Sequence, residues 1–112
     1  ICQQGGQAMA VHADVRRPDH VAGVVDAAVR GFGGFDLAVN AAGVGDADVR
    51  AAESPEDAWQ RTLDVHLTGT WHCLRAQIPV LLARGGGTIV NVASVAERAG
   101  FDRHAALAAS KH

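Results

Sequence analysis

The chain has 112 residues, 48% hydrophobic and 20% charged, with 13 glycines and a formal net charge of −2. That is the composition of a soluble globular chain, and it excludes collagen-like, disordered and disulfide-scaffold classes. The length fits one domain over residues 1–112, and the balanced charge offers no basic stripe for a nucleic acid backbone. The longest apolar run, 78–83, is far short of a membrane span and contains Pro79. No charged-then-apolar leader opens the chain. Cys2 and Cys73 are too few and too distant for a disulfide framework, which suits a reducing, cytoplasmic compartment. The opening at Ile1 and the close in helix-forming residues 105–112, without a Gly or Pro stop, both look cut. The expectation is therefore an internal piece of a longer protein.

Three apolar runs alternate with helical patterns. Residues 8–13 read as a first strand, ending at Asp14-Val15. Pro18 suits a first helical position, and Asp19 suits the first turn, where a carboxylate meets the positive end of the helix dipole. Val21, Val24, Val25, Ala28 and Val29 then recur at helical spacing up to the glycines around 31–34. Residues 35–40 form a second strand, apolar on both faces. A loop through Gly43 and Gly45 leads to Ser54, read as an N-cap, with Pro55 at the first helical position and Asp57 two further on. From Ala58 to Arg84 the pattern is again helical, with Trp59, Leu63, His66 or Leu67, Thr70, Leu74 and Ile78 as one stripe. Trp59 and Trp71 read as packing residues, and Pro79 is expected to bend or loosen the last turns. Glycines 85–87 end this helix. Residues 88–93 form a third strand, rich in β-branched side chains, and 105–112 begin a third helix.

Strands apolar on both faces belong to parallel sheets covered by helices, so the fold class is α/β with right-handed crossovers. In such sheets ligands bind at the carboxyl ends of the strands. Three clusters lie there: Asp14-Val15, Asn40-Ala41-Ala42-Gly43, and Ser94. The six histidines show no metal-ligand spacing, so no metal is expected.

At these clusters the chain resembles the short-chain dehydrogenase/reductase family. Asn40-Ala41-Ala42-Gly43 is similar to the family's N-[NA]-A-G segment, and Asp14-Val15 to its Asp-Val pair near the adenine ring. Residues 87–94 resemble the strand leading to the catalytic Ser, and 108–112 the end of the Y-x-x-x-K motif. The four segments stand in the family's order and spacing. The resemblance implies a partial Rossmann-type doubly wound parallel sheet of three strands, two full helices and the start of a third, truncated at both ends. It also implies NAD or NADP as cofactor and a small carbonyl or alcohol as substrate. Asp14, Val15, Asn40, Ala41, Ala42, Gly43 and Lys111 would then bind the cofactor, and Ser94 and Lys111 would be catalytic. Asn40 has a structural reading beside that one, bridging backbone groups of neighbouring strands.

The departures are specific. The chain has no Tyr, and the position four before Lys111, thirteen after Ser94, is Leu107. The family's helix Asn is replaced by His66. No G-x-G-x-x-G stands in these residues; the resemblance puts the glycine-rich turn upstream. In the family a Tyr phenol exchanges a proton with the substrate oxygen, its anion stabilised by the Lys one helical turn away. Leu107 has no proton to exchange, and losing a general acid costs ~10²–10⁴ in rate. His66 stands in place of the relay residue and is a poor substitute for the phenol. The reading is thus a dehydrogenase fragment inactive as it stands. The alternative is a non-catalytic relative acting as a binding or oligomerisation module, for instance a homo-oligomer through the long helix.

Overall fold

The computed structural model describes residues 1–45, 47–95 and 98–112. Helix α1 spans Pro18–Phe32, strand β1 Leu37–Asn40, helix α2 Glu56–Leu63, helix α3 Gly69–Ala83, strand β2 Thr88–Asn91 and helix α4 Ala105–Lys111. The two strands pair in parallel, Leu37 opposite Thr88 and Asn40 opposite Asn91. The α/β class and a partial Rossmann-type architecture are thus present. The strand count is corrected from three to two among the described residues. Residues 7–13 are not strand, because no neighbouring backbone offers them a ladder; their groups make no backbone hydrogen bond among the described residues. An apolar run supplies the side chains of a strand, but only a partner supplies the bonds.

Helix α1 begins where Pro18 needs no backbone donor, with Asp19 in the first turn. It ends at Gly33, whose φ of 78° suits a residue without Cβ. The next helix starts one residue later than the sequence suggests. Pro55 is the N-cap, its carbonyl accepting the Trp59 amide at 3.0 Å, while Ser54 closes a short 3₁₀ turn over Ala51–Glu53 and makes no capping bond.

The long helical stretch departs from α geometry in one place, a π turn at Asp64–Thr68 between α2 and α3. There the Gly69 amide reaches back to the Asp64 carbonyl, one residue beyond α spacing. Thr70 Oγ1 donates to the His66 carbonyl at 2.8 Å, and Thr62 Oγ1 to the Ala58 carbonyl at 3.0 Å, so both threonines satisfy their hydroxyls on the helix itself. The inserted residue rotates the helix face. Thr62, Val65, His66, Gly69 and Leu81 are buried, whereas Leu67, Trp71 and Ile78 are exposed. Of the expected stripe, His66 rather than Leu67 is the buried alternative and Ile78 is corrected to exposed; Trp71, read apart from the stripe as a packing residue, is likewise corrected to the surface. Trp71 packs under the Arg75 guanidinium, 5.4 Å from its ring centroid, at the surface. Past Pro79 the α-helix continues to Ala83.

Close packing fixes the helices at two glycines. A Cβ on Gly69 would stand 2.6 Å from Val15 Cγ2, and one on Gly87 would stand 2.7 Å from the Asp36 carbonyl oxygen. Arg84 joins the end of α3 to the start of β1, through Nε to Asp36 Oδ1 at 3.1 Å and a bond to the Gly33 carbonyl at 3.0 Å.

Gly69 and Gly23 make a matched test. Gly69→Ala gains helix propensity but forces Val15 away, and is expected to destabilise by roughly 1–3 kcal/mol. Gly23→Ala, in α1 with nothing within 4 Å of the new methyl, is expected to stabilise by about 0.5–1 kcal/mol. Denaturant midpoints of the two variants should move in opposite directions; equal shifts would contradict the packing described.

Candidate functional site

Residues 40–43 and Ser94 follow the carboxyl ends of β1 and β2, and Asp14-Val15, though not preceded by a strand, lies beside the first of them. Asp14, Val15 and Arg16 face Ala42, Gly43 and Val44 across a recess of about 360 Å³, with Arg61 and Val65 completing its wall. The Asp14 carboxylate is gripped by its neighbour. Arg16 donates from its backbone N to Oδ1 at 3.0 Å, from Nε to both oxygens at 3.0 Å, and to Oδ2 at 2.6 Å. These bonds hold the carboxyl well below its ordinary value, at about 2. Three Arg16 hydrogens, the Nε one shared between the oxygens, meet about four acceptor sites, so the carboxylate keeps one site for a further donor. The Asp14 amide donates to His20 Nδ1 at 3.2 Å.

Helix α3 and its π turn reach all three sides of this region. His72 Nδ1 lies 2.9 Å from the Val15 carbonyl oxygen, which requires the proton on Nδ1. His66 Nε2 lies 2.9 Å from the Val44 carbonyl oxygen and 3.2 Å from the Val44 amide. One nitrogen cannot donate and accept at once, and the shorter contact puts the proton on Nε2. Nδ1 is then an acceptor, buried and without a partner. This costs less than stranding an N–H there, and the Nε2 proton is committed to the Val44 carbonyl. The imidazole also explains Gly43, where a Cβ would stand 3.0 Å from His66 Cε1.

Asn40 is tied on both sides. Its Nδ2 donates to Gln77 Oε1 at 3.1 Å and to Asn91 Oδ1 at 2.9 Å, while its Oδ1 accepts from Gln77 Nε2 at 2.8 Å. The structural reading is corrected in its partners: the Asn40 side chain meets the side chains of Asn91 on β2 and Gln77 on α3, not backbone groups of neighbouring strands. Gln77, His72, Arg16 and Arg61 were not singled out by sequence reasoning. Gln77 continues the helical row of His66, Thr70 and Cys73, but nothing local marks it as the partner of Asn40.

Beyond β2, Ser94 is half-buried. Lys111 on α4 donates from Nζ to the Val92 carbonyl at 2.7 Å, which brings α4 against the chain leading to Ser94. Leu107 stands one helical turn before Lys111 and is half-buried. Ser94 and Lys111 thus sit on one side of the strand ends, Asp14 and Val15 on the other, with residues 40–43 between them. Among the described residues no three His, Cys, Asp or Glu side chains gather as a metal site, and no helix is long and apolar enough to cross a membrane.

Three comparisons bear on this arrangement. The family model described as Enoyl-(Acyl carrier protein) reductase matches residues 1–112. Cyclohexanol dehydrogenase of Acinetobacter sp. is 35% identical over 112 residues, which cover 100% of this chain and 45% of that protein. 3beta-Hydroxysteroid dehydrogenase 1 of Eggerthella lenta is 42% identical over 112 residues, covering 99% of this chain and 42% of its own. The crystal structure of NAD+-bound xylitol dehydrogenase superposes with a TM-score of 0.94 at 35% identity, over 97% of this chain and 42% of that one. The chain spans less than half the length of these relatives.

The Asp14–Arg16 pair makes a pH prediction. Its carboxyl should titrate near 2 by NMR, and Arg16→Ala should return it toward the ordinary value of 3.8. Because the folded value is depressed, the pair's contribution to stability is present above about pH 4 and is lost as pH falls toward 2. A titration unchanged by Arg16→Ala would contradict the assignment.

Proposed function

Because the chain belongs to the short-chain dehydrogenase/reductase family, we propose that it is the central part of an NAD(P)-dependent oxidoreductase domain acting on a small carbonyl or alcohol. The observation that carries this reading is the convergence of residues 14–15, 40–43 and 111 at one end of a parallel sheet. A bound nicotinamide supplies the hydride acceptor or donor. The recess between Asp14-Val15 and Ala42-Gly43 takes the adenosine end, with the Asp14 carboxylate accepting from the adenine amino group. Ala41, Ala42 and Gly43 form the wall, and Asn40 serves by holding the strand end. Lys111 has three donors and spends one on Val92, leaving two for ribose hydroxyls. Ser94 holds the substrate oxygen.

The proton is what this constellation lacks. Leu107 occupies the place from which a phenol would reach the substrate oxygen, and the Nε2 proton of His66 is held by the Val44 carbonyl. The chain as it stands does not turn over. Without a glycine-rich turn among these residues to hold the pyrophosphate, its own dinucleotide affinity is no better than about millimolar, roughly −4 kcal/mol.

A second reading, a non-catalytic relative that acts as a binding or oligomerisation module, draws on the apolar stripe Leu67, Trp71, Ile78 and Leu82, exposed by 54, 53, 43 and 69%. One experiment separates the two. Residues 1–112 replace the matching segment of a full-length relative, with Leu107 or with Leu107→Tyr, and turnover is followed by cofactor absorbance. The enzyme reading expects the Leu107 graft to lose at least ~10²-fold in rate and Leu107→Tyr to recover most of it. A folded Leu107→Tyr graft that stays inactive would favour the binding module. A Leu107 graft as fast as the relative would overturn the proposed role of that position.

A further inference from the structure

The segment Ala41-Ala42-Gly43 is the middle wall of the recess, yet it has no hydrogen bonds of its own. Among the described residues, none of its three amides or carbonyls pairs with another backbone group or a side chain. Its position is therefore set by its two ends. At the far end Val44 is held by His66 Nε2. At the near end the last ladder bond runs from the Val92 amide to the Asn40 carbonyl at 2.9 Å, and beyond it the only hold on Asn40 is through its side chain.

That side chain is committed by a residue on another element. Gln77 meets Asn40 amide to amide, each donating to the other's oxygen, at 3.1 and 2.8 Å. The second Nδ2 hydrogen goes to Asn91 at 2.9 Å, so both donors of Asn40 are spent. The surroundings are apolar: Val15, Val21, Val25, Val39 and Cys73 line the recess of about 200 Å³ into which the pair projects. An amide there is costly to leave unpaired. Removing Gln77 strands one donor and one acceptor of Asn40 together, and the Asn40 side chain must turn away to find partners.

We infer that Gln77 is a positioning residue: through its paired amide it fixes the Asn40 side chain and, with it, the unbonded wall 41–43 against which the dinucleotide docks. The docking clause rests on the function proposed above; the mechanical clause does not. Asn40 then contributes no hydrogen-bond donor to the cofactor, and Gln77 never touches it. The π turn and helix α3 thereby hold the two ends of the wall, at His66 and at Gln77.

The test uses two variants of the chain and two readouts. Gln77→Leu removes both bonds to Asn40. Gln77→Glu keeps the acceptor and loses the donor, and guards against a Leu variant that fails to fold. NMR of the chain should show the Asn40 side-chain amide and the backbone amides of Ala41, Ala42 and Gly43 shifted and exchanging faster, most in Gln77→Leu and less in Gln77→Glu, with the Thr88 and Val92 ladder amides unchanged. If residues 41–43 keep their shifts and exchange in a folded variant, the inference is overturned. In the full-length graft carrying Leu107→Tyr, Gln77→Leu should raise the cofactor KM about tenfold while kcat moves less than about twofold, the scale of a slightly misplaced binding wall. An equal fall in kcat at unchanged KM would overturn the positioning role. If that graft binds no dinucleotide with Gln77 in place, the functional reading fails, and the amide readout alone decides Gln77.

Discussion

One helix holds the functional end of this molecule together. The wall segments around the recess are short and irregular, and the sheet beneath them has two strands. What gives them fixed positions is the stretch from the π turn through α3, which bonds to Val15 through His72, to Val44 through His66 and to Asn40 through Gln77. Each bond satisfies a part-buried polar side chain, and leaving such a group unpaired is costly. The π turn is what makes this possible. By inserting one residue after α2 it brings His66 and Gly69 onto the buried face and sends Leu67 outward. Gly69 then allows Val15 to lie against the helix axis.

This arrangement also accounts for one of the two substitutions that depart from the family pattern. His66, where the family carries Asn, is absorbed into structure: its ring fills the space above Gly43 and its Nε2 proton belongs to Val44. Leu107, where the family carries Tyr, has no such structural explanation; one helical turn on, Lys111 donates to the Val92 carbonyl. On the function proposed above, residues for holding a nucleotide and a substrate oxygen are kept while the group that would move the proton is not.

Much of the fold could be read from the residues. Pro18 and Gly33 bound α1 because one needs no donor and the other tolerates a positive φ, and the β-branched run 88–91 with Leu37–Asn40 gave a parallel pair. The pattern places residues 40–43 and Ser94 beyond β1 and β2, whereas the place of Asp14-Val15 beside Ala42-Gly43 comes from the packing of an irregular segment. Residues 8–13 were misread because side-chain pattern speaks to burial and says nothing of a ladder partner. The buried stripe of the long helix was misread because uniform 3.6-residue spacing cannot anticipate a π turn, which leaves Leu67 and Ile78 on the exposed face. Gln77 escaped notice for a related reason: its meaning depends on Asn40, 37 residues away in sequence, and no local pattern pairs them.

The central claim is mechanical, that the recess walls and helix α3 form one rigid unit. Residual dipolar couplings measured on the amides of Val15, Ala41, Ala42, Gly43 and Val44 test it most directly. The account predicts that these couplings fit, without reduction in amplitude, the same alignment tensor as residues 69–83. Couplings at 41–44 that are scaled down, or that demand a tensor of their own, would contradict it.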